Sequence, residues 1–114
     1  MFTEEIMLSG YRLMWILVMF DLPVSTKAER KEATGFINFL LDEGFEMAQF
    51  SVYMRFYSSS KQIETCSQRV CSALPKGGKV SIMQMTDKQY ERIISYQGQS
   101  KLPAKKSPDQ FELF

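Results

Sequence analysis

An α+β sandwich is the fold class this sequence predicts, and three observations carry the prediction. The apolar run Leu13 to Phe20 lacks strict alternation, which suits a central strand covered on both faces. Two stretches with the i, i+3, i+4 spacing of amphipathic helices follow later in the chain. Between and after them come segments of period-two character, the mark of strands with unlike faces.

Local signals define the elements along the chain. The stretch "WILVMFDLPVSTKAER" carries the first strand, a turn at "LPVST", and a capping box formed by Thr26 and Glu29 that opens a helix over about 26–43. Ala33, Phe36, Ile37, Leu40 and Leu41 make its apolar stripe, and Gly44 stands where a C-terminal cap is needed. Over 45–56, Ala48, Phe50, Val52, Met54 and Phe56 share one face while Gln49, Ser51, Tyr53 and Arg55 share the other. That predicts a half-exposed strand, or two short strands with a bend. "YSSSK" breaks the pattern, and 61–74 reads as a second helix with Ile63, Cys66, Val70 and Leu74 as its stripe, ended by "PKGGK". Residues 79–85 alternate as a further strand, after which Thr86 caps a short helical turn. Beyond Gly98 the polar, proline-bearing "QSKLPAKKSPDQ" reads as a tail ending in the apolar tip "FELF". The order strand, helix, strand or strand pair, helix, strand points to a ferredoxin-like split βαβ sandwich: an antiparallel sheet with two helices on one face, plus a C-terminal tail or extra strand. The expected organisation is an N-terminal extension at 1–11, one domain at 12–97, and a tail at 98–114 for partner docking.

Composition narrows the classes. Apolar types at 45% and charged types at 24% fit a globular chain rather than a disordered or fibrous one. The longest apolar run falls far short of the ~20 residues that cross a bilayer, and the acidic start "MFTEEIMLSG" lacks the basic region of a secretory signal, so no membrane partner and a cytoplasmic location are expected. Net charge is only +1, but it is unevenly spread: residues 1–65 carry six Lys or Arg against nine Asp or Glu, and residues 76–106 carry seven against two. The second half can therefore present a positive face to nucleic acid, or simply a solvated one with a basic tail. Cys66 and Cys71 share one helix in a chain with no histidine, too few soft ligands for a zinc site, so they read as reduced structural thiols.

The absence of histidine also removes Ser/His and Cys/His catalysis and leaves carboxylates as the candidate chemistry. Asp42 with Glu43 and Glu4 with Glu5 read as solvated pairs. Asp21 differs, because a buried strand fixes its place and sites form at strand ends. Two readings stay open. Asp21 caps the turn that follows by accepting from backbone amides, or it is a ligand for a hard cation, which takes one or two carboxylates plus water and phosphate oxygens. One carboxylate is a poor metal site, and a twofold dimer bringing two copies of Asp21 together would double the ligand set.

The segments "ILVMFDLPVSTKAERK", "FLLDEGFEMAQFSVYMRF" and "VSIMQMTDKQYERI" together closely resemble the small CRISPR-associated adaptation protein family. That family is the ferredoxin-like, endoribonuclease-type partner of the CRISPR integrase, here in the branch associated with single-effector systems. The resemblance spans roughly residues 12–97. It implies a homodimer packed sheet to sheet, with Asp21 matching the strand-end aspartate proposed to hold Mg²⁺ for cleavage of RNA or DNA. It also implies a complex in which the dimer bridges integrase dimers and holds double-stranded DNA for insertion into the CRISPR array. Two positions depart from the pattern: Phe20 stands where many nuclease relatives carry tyrosine, and Met47 where a basic residue is common. DNA contact is expected through phosphates, with Arg12, Lys27, Arg30, Lys31, Arg55, Lys76, Lys79 and Lys88 as candidates. Phe111, Leu113 and Phe114 are expected to seat in the partner by strand addition. The competing expectations are a metal-dependent, toxin-like nuclease acting alone and a regulatory domain binding a small ligand between protomers.

Overall fold

The computed structural model describes residues 14–106. Strand β1 (Met14–Asp21) pairs antiparallel on one edge with β3 (Val52–Tyr57) and on the other with β4 (Lys79–Thr86), and β2 (Glu46–Gln49) extends the sheet beyond β3. The order is β2-β3-β1-β4. Helix α1 (Lys27–Asp42) links β1 to β2, and α2 (Ser60–Ser72) links β3 to β4. Each strand–helix–strand unit thus holds a strand of the other between its own pair, which is the ferredoxin-like split βαβ arrangement.

Local chemistry explains the helix ends. Glu29 N–H donates to Thr26 Oγ1 at 3.1 Å and Thr26 N–H donates to Glu29 Oε1 at 2.9 Å, the reciprocal capping box. At the other end Gly44 adopts φ 93°, its N–H donates to Leu41 O at 3.0 Å, and Phe45 N–H donates to Leu40 O at 2.9 Å. These are the two bonds of a Schellman motif, and the accompanying apolar contact is supplied by Phe45 and Leu40, both buried in the same cluster.

The core has two layers. Under the helices lie Ile16 and Val18 of β1 with Phe36, Leu40, Ile63 and Val70. On the opposite, outer face Trp15, Leu17, Met54 and Met85 form a second cluster, flanked by Phe56, Tyr90 and Ile93. At ~1.5–3 kcal/mol for each large side chain removed from water, both layers contribute substantially to stability.

Residues 45–56 form the expected alternative of two short strands with a bend, but their faces depart from the sequence pattern. The chain forms two strands that turn at Phe50 and Ser51, the latter at φ 65°, with a register slip between Met47 and Gln49. Tyr53, expected on the exposed face, is buried under the helices, and Arg55 is half-buried there. Val52, Met54 and Phe56 pack on the outer face instead. Because both faces of β3 are covered, alternation of polarity does not report alternation of exposure. Leu41 and Leu74, read as stripe residues, are exposed.

Helix α3 (Asp87–Glu91) straps the outer face. A second capping box joins Thr86 and Gln89, Tyr90 stacks on Trp15 with ring centroids 3.9 Å apart, and Trp15 Nε1–H donates to the buried Asp87 Oδ1 at 3.1 Å. The segment read as tail from residue 98 begins within a small hairpin, β5 (Tyr96–Gln97) and β6 (Ser100–Lys101), turning at Gly98 with φ 61°. Lys105 then lies 5.8 Å from the Tyr90 ring centroid. Among the described residues no helix is long and apolar enough to cross a membrane.

The indole–carboxylate bond generates a test. Asp87→Ala should lower the unfolding free energy by roughly 1–3 kcal/mol, the cost of stranding a buried donor. The exposed Asp42→Ala should stay within about 0.5 kcal/mol of the wild-type chain. Urea denaturation of both variants measures the difference.

Candidate functional site

Alternation along β1 places Asp21 on the outer face with Trp15 and Leu17, at the strand's exposed end and opposite Lys79 in the β4 register. Its position is held by backbone. Pro23 disfavours continuation of the strand geometry, and the turn before β4 lies directly against it: a Cβ on Gly78, which sits at φ 86°, would stand 2.6 Å from Asp21 O and 2.9 Å from Leu22 and Pro23. Only glycine fits there. The "PKGGK" motif, read in the sequence simply as a helix breaker, is thus the device that sets β4 beside the end of β1.

The turn-capping reading of Asp21 finds no support. Among the described residues its carboxylate makes no hydrogen bond or ion pair, and Thr26 caps α1 instead. The turn is closed by Arg30, whose Nη1–H donates to Val24 O at 3.0 Å and Ser25 O at 3.2 Å. Phe20, the residue before the aspartate, points to the opposite face, edge-on to Phe36 at 5.6 Å and stacked with Tyr53 at 5.7 Å. The ring at this position therefore belongs to the helix-side layer and not to the surface that carries Asp21.

Five of the basic candidates collect at this end of the sheet. Lys27, Arg30 and Lys31 come from the first turns of α1, while Lys76 and Lys79 come from the approach to β4 and its first residue. Lys76 N–H donates to Glu32 Oε2 at 3.0 Å, tying that approach to α1 across a cleft of about 390 Å³ lined by Leu22, Pro23, Glu29 and Lys76. Two candidates lie elsewhere. Arg55 is registered with Ile16, its Nη1–H donates to Glu43 O, and its guanidinium lies 4.5 Å over the Tyr57 ring on the helix side. Lys88 follows Thr86, the partner of Met14, so it too sits at the start of β1, about 23 Å from Asp21 at roughly 3.3 Å per residue. Arg12, Phe111, Leu113 and Phe114 lie outside the described residues.

The donor set does not fit a resident metal in one chain. Among the described residues no three Asp, Glu, Cys or His side chains come together, and a lone exposed carboxylate is short of the ligands a hard cation takes. Cys66 and Cys71 of α2 are free thiols, the first buried and the second exposed.

Comparison with known proteins assigns the chain to a family. The family model for CRISPR associated protein Cas2 matches residues 14–93. This chain belongs to the Cas2 family. It is 67% identical to a CRISPR-associated endoribonuclease Cas2 of Paracidovorax avenae over 95% of this chain and 100% of the relative. It is 45% identical to one of Flavobacterium psychrophilum over 94% and 93%, and 40% identical to one of Parvibaculum lavamentivorans over 89% and 100%. A CRISPR-related function follows from membership in the Cas2 family.

The glycine that sets the site can be tested against its neighbour. Gly78→Ala should cost at least ~1–2 kcal/mol from left-handed strain alone, before the clash with Asp21 O is counted. Gly77→Ala, whose Cβ would meet Pro23 at an ordinary 3.5 Å, should leave the melting temperature nearly unchanged. Thermal unfolding of the pair checks both.

Proposed function

We propose that this Cas2-family chain serves CRISPR adaptation as a homodimer that bridges integrase dimers and holds a duplex DNA fragment for insertion into the array. The observation that carries the reading is the gathering of Lys27, Arg30, Lys31, Lys76 and Lys79 around the strand end, on a chain of this family. Captured fragments have no fixed sequence, so a platform of phosphate contacts suits them better than base readout. The outer face supports the dimer: Met83 is exposed and Met19 and Val52 are half-exposed beside the buried Trp15 and Leu17. Packing two such faces sheet to sheet, the arrangement that gives aligned sandwiches, removes that apolar surface from water. In such a dimer the two Asp21 carboxylates border one interface.

A second reading is phosphodiester cleavage. It is favoured by the exposed Asp21, without a partner among the described residues, and by relatives described as endoribonucleases. Mg²⁺ enters only there, because one chain offers a single carboxylate and two copies offer a pair.

Two sets of variants separate the readings. Replacing Lys27, Lys31, Lys76 and Lys79 together by alanine should weaken duplex binding and reduce the slope of log affinity against log salt by roughly 0.9 for each phosphate no longer neutralised. Asp21→Ala should leave that binding and spacer insertion intact. If Asp21→Ala abolishes insertion, or if chelation of Mg²⁺ and Asp21→Ala both stop RNA cleavage by the purified chain, the nuclease reading replaces the scaffold.

Partner docking has its own measurement. Deleting residues 109–114, which include Phe111, Leu113 and Phe114, should reduce capture of co-expressed integrase at least tenfold while sparing the homodimer. Undiminished capture would remove the tail from the interface.

A further inference from the structure

The end of the sheet remote from Asp21 holds a second cationic feature. The C-cap of α1, β3 and α2 as far as Arg69 line a cavity of about 360 Å³, walled by Glu43, Arg55, Tyr57, Lys61, Cys66 and Arg69. Three cations face one carboxylate. Glu43 pairs with Arg69, which leaves Arg55 and Lys61 with no carboxylate partner among the described residues.

The cavity is built rather than incidental. The Arg55 guanidinium lies over the Tyr57 ring, 4.5 Å from its centroid, and is anchored on the Glu43 carbonyl. Its guanidinium occupies the space over Gly44, where a Cβ would lie 3.2 Å from Cζ. Tyr57 lines the cavity, and its hydroxyl is buried with no oxygen or nitrogen partner among the described residues; it meets the Cys66 thiol, a weak acceptor. Burial raises the pKa of both Tyr57 and Cys66, so both keep their protons at neutral pH. The wall also includes the capped first turn of α2, where Gln62 N–H donates to Ser59 Oγ at 3.2 Å and the positive end of the helix dipole lies.

We propose that this cavity binds a phosphate group, with Arg55, Arg69 and Lys61 as its cationic donors and the Tyr57 hydroxyl as a neutral donor. A surplus of two positive charges matches a phosphate dianion, and planar guanidinium groups match its oxygens in pairs. A doubly charged terminal phosphate fits the cavity better than the singly charged diester of an internal backbone position. The proposal does not depend on the adaptation reading, because the cavity's strand residues Arg55 and Tyr57 pair with Ile16 and Met14, about 17–23 Å along the sheet from Asp21, and it is complete within one chain.

The phosphate has two sources, a nucleic-acid end or free inorganic phosphate, and one experiment separates them. The full chain is titrated with inorganic phosphate and, at fixed ionic strength, with one oligonucleotide carrying either a 5′-phosphate or a 5′-hydroxyl. Inorganic phosphate should move the amide resonances of residues 59–69. Lys61→Gln should weaken its binding roughly tenfold, and Tyr57→Phe, which removes only the hydroxyl, about threefold. Lys101→Gln in β6, outside both cationic groups, should leave inorganic-phosphate binding unchanged. A preference for the 5′-phosphorylated strand that disappears in Lys61→Gln identifies a nucleic-acid end. Equal binding of both strands, with inorganic phosphate still sensitive to Lys61→Gln and Tyr57→Phe, identifies free phosphate. Absence of resonance shifts, or phosphate binding indifferent to both variants in chains that fold as wild type, overturns the proposal.

Discussion

Strand β1 has a hydrogen-bonded neighbour on each edge and an apolar layer on each face, and this enclosure governs the rest of the molecule. A strand so placed cannot slip by one residue without exchanging Ile16 and Val18 with Trp15 and Leu17, two sets shaped for different surroundings. Ile16 and Val18 are branched residues that fit beneath helices, while Trp15 needs an acceptor for its indole N–H and finds it in Asp87. The register of β1 is therefore over-determined. Asp21, the last residue of the strand, inherits that precision without contributing to it.

The two faces of β1 have different tasks. The helix-side layer is closed by α1 and α2 and has the usual character of a core. The outer layer is closed only in part, by the short strap of α3, whose Tyr90 covers Trp15 and leaves the Met83 side open. Five residues of helix cannot cover an eight-residue strand and its neighbours. Surface left in this condition is stabilised by association, so in the proposed dimer α3 borders the face offered to the second copy. The Trp15–Asp87 bond then has two consequences. It satisfies a buried donor, and it holds the strap at the border of the open surface.

Much of this was legible in the chain because the governing signals are local. The Thr26 and Glu29 capping box, the Gly44 terminus and the stripe of Ala33, Phe36 and Leu40 act within a few residues, and each appears where its spacing places it. The burial of Ile16 and Val18 follows equally from an unbroken apolar run. What escaped was set by contacts distant in sequence. Nothing near Tyr53 announces that its face of β3 lies under two helices, and Phe56 reads as core although its ring borders Trp15 on the outer side, at 5.0 Å. The two-residue pairing of β5 and β6 is too short to leave a period. At the candidate site, the strand-end acid was legible from its position after a buried run. The division of the basic residues between two ends of the sheet was not, because it depends on which strands are neighbours.

That division bears on how charge works in the protein. At the Asp21 end four of the five cations are exposed lysines on long stems, well hydrated and screened by salt, suited to tracking a backbone whose position varies, and the fifth, Arg30, is bound to turn carbonyls. At the other end Arg55 is immobilised by a ring, a carbonyl and the space over Gly44 before any ligand arrives. Fixing a cation in advance costs folding stability and returns selectivity, since a preorganised guanidinium loses little freedom on binding and prefers the geometry it already matches. A duplex of arbitrary sequence needs no such selectivity along its length. The preorganised Arg55 thus suits the proposed phosphate site, and the exposed lysines suit the proposed duplex platform.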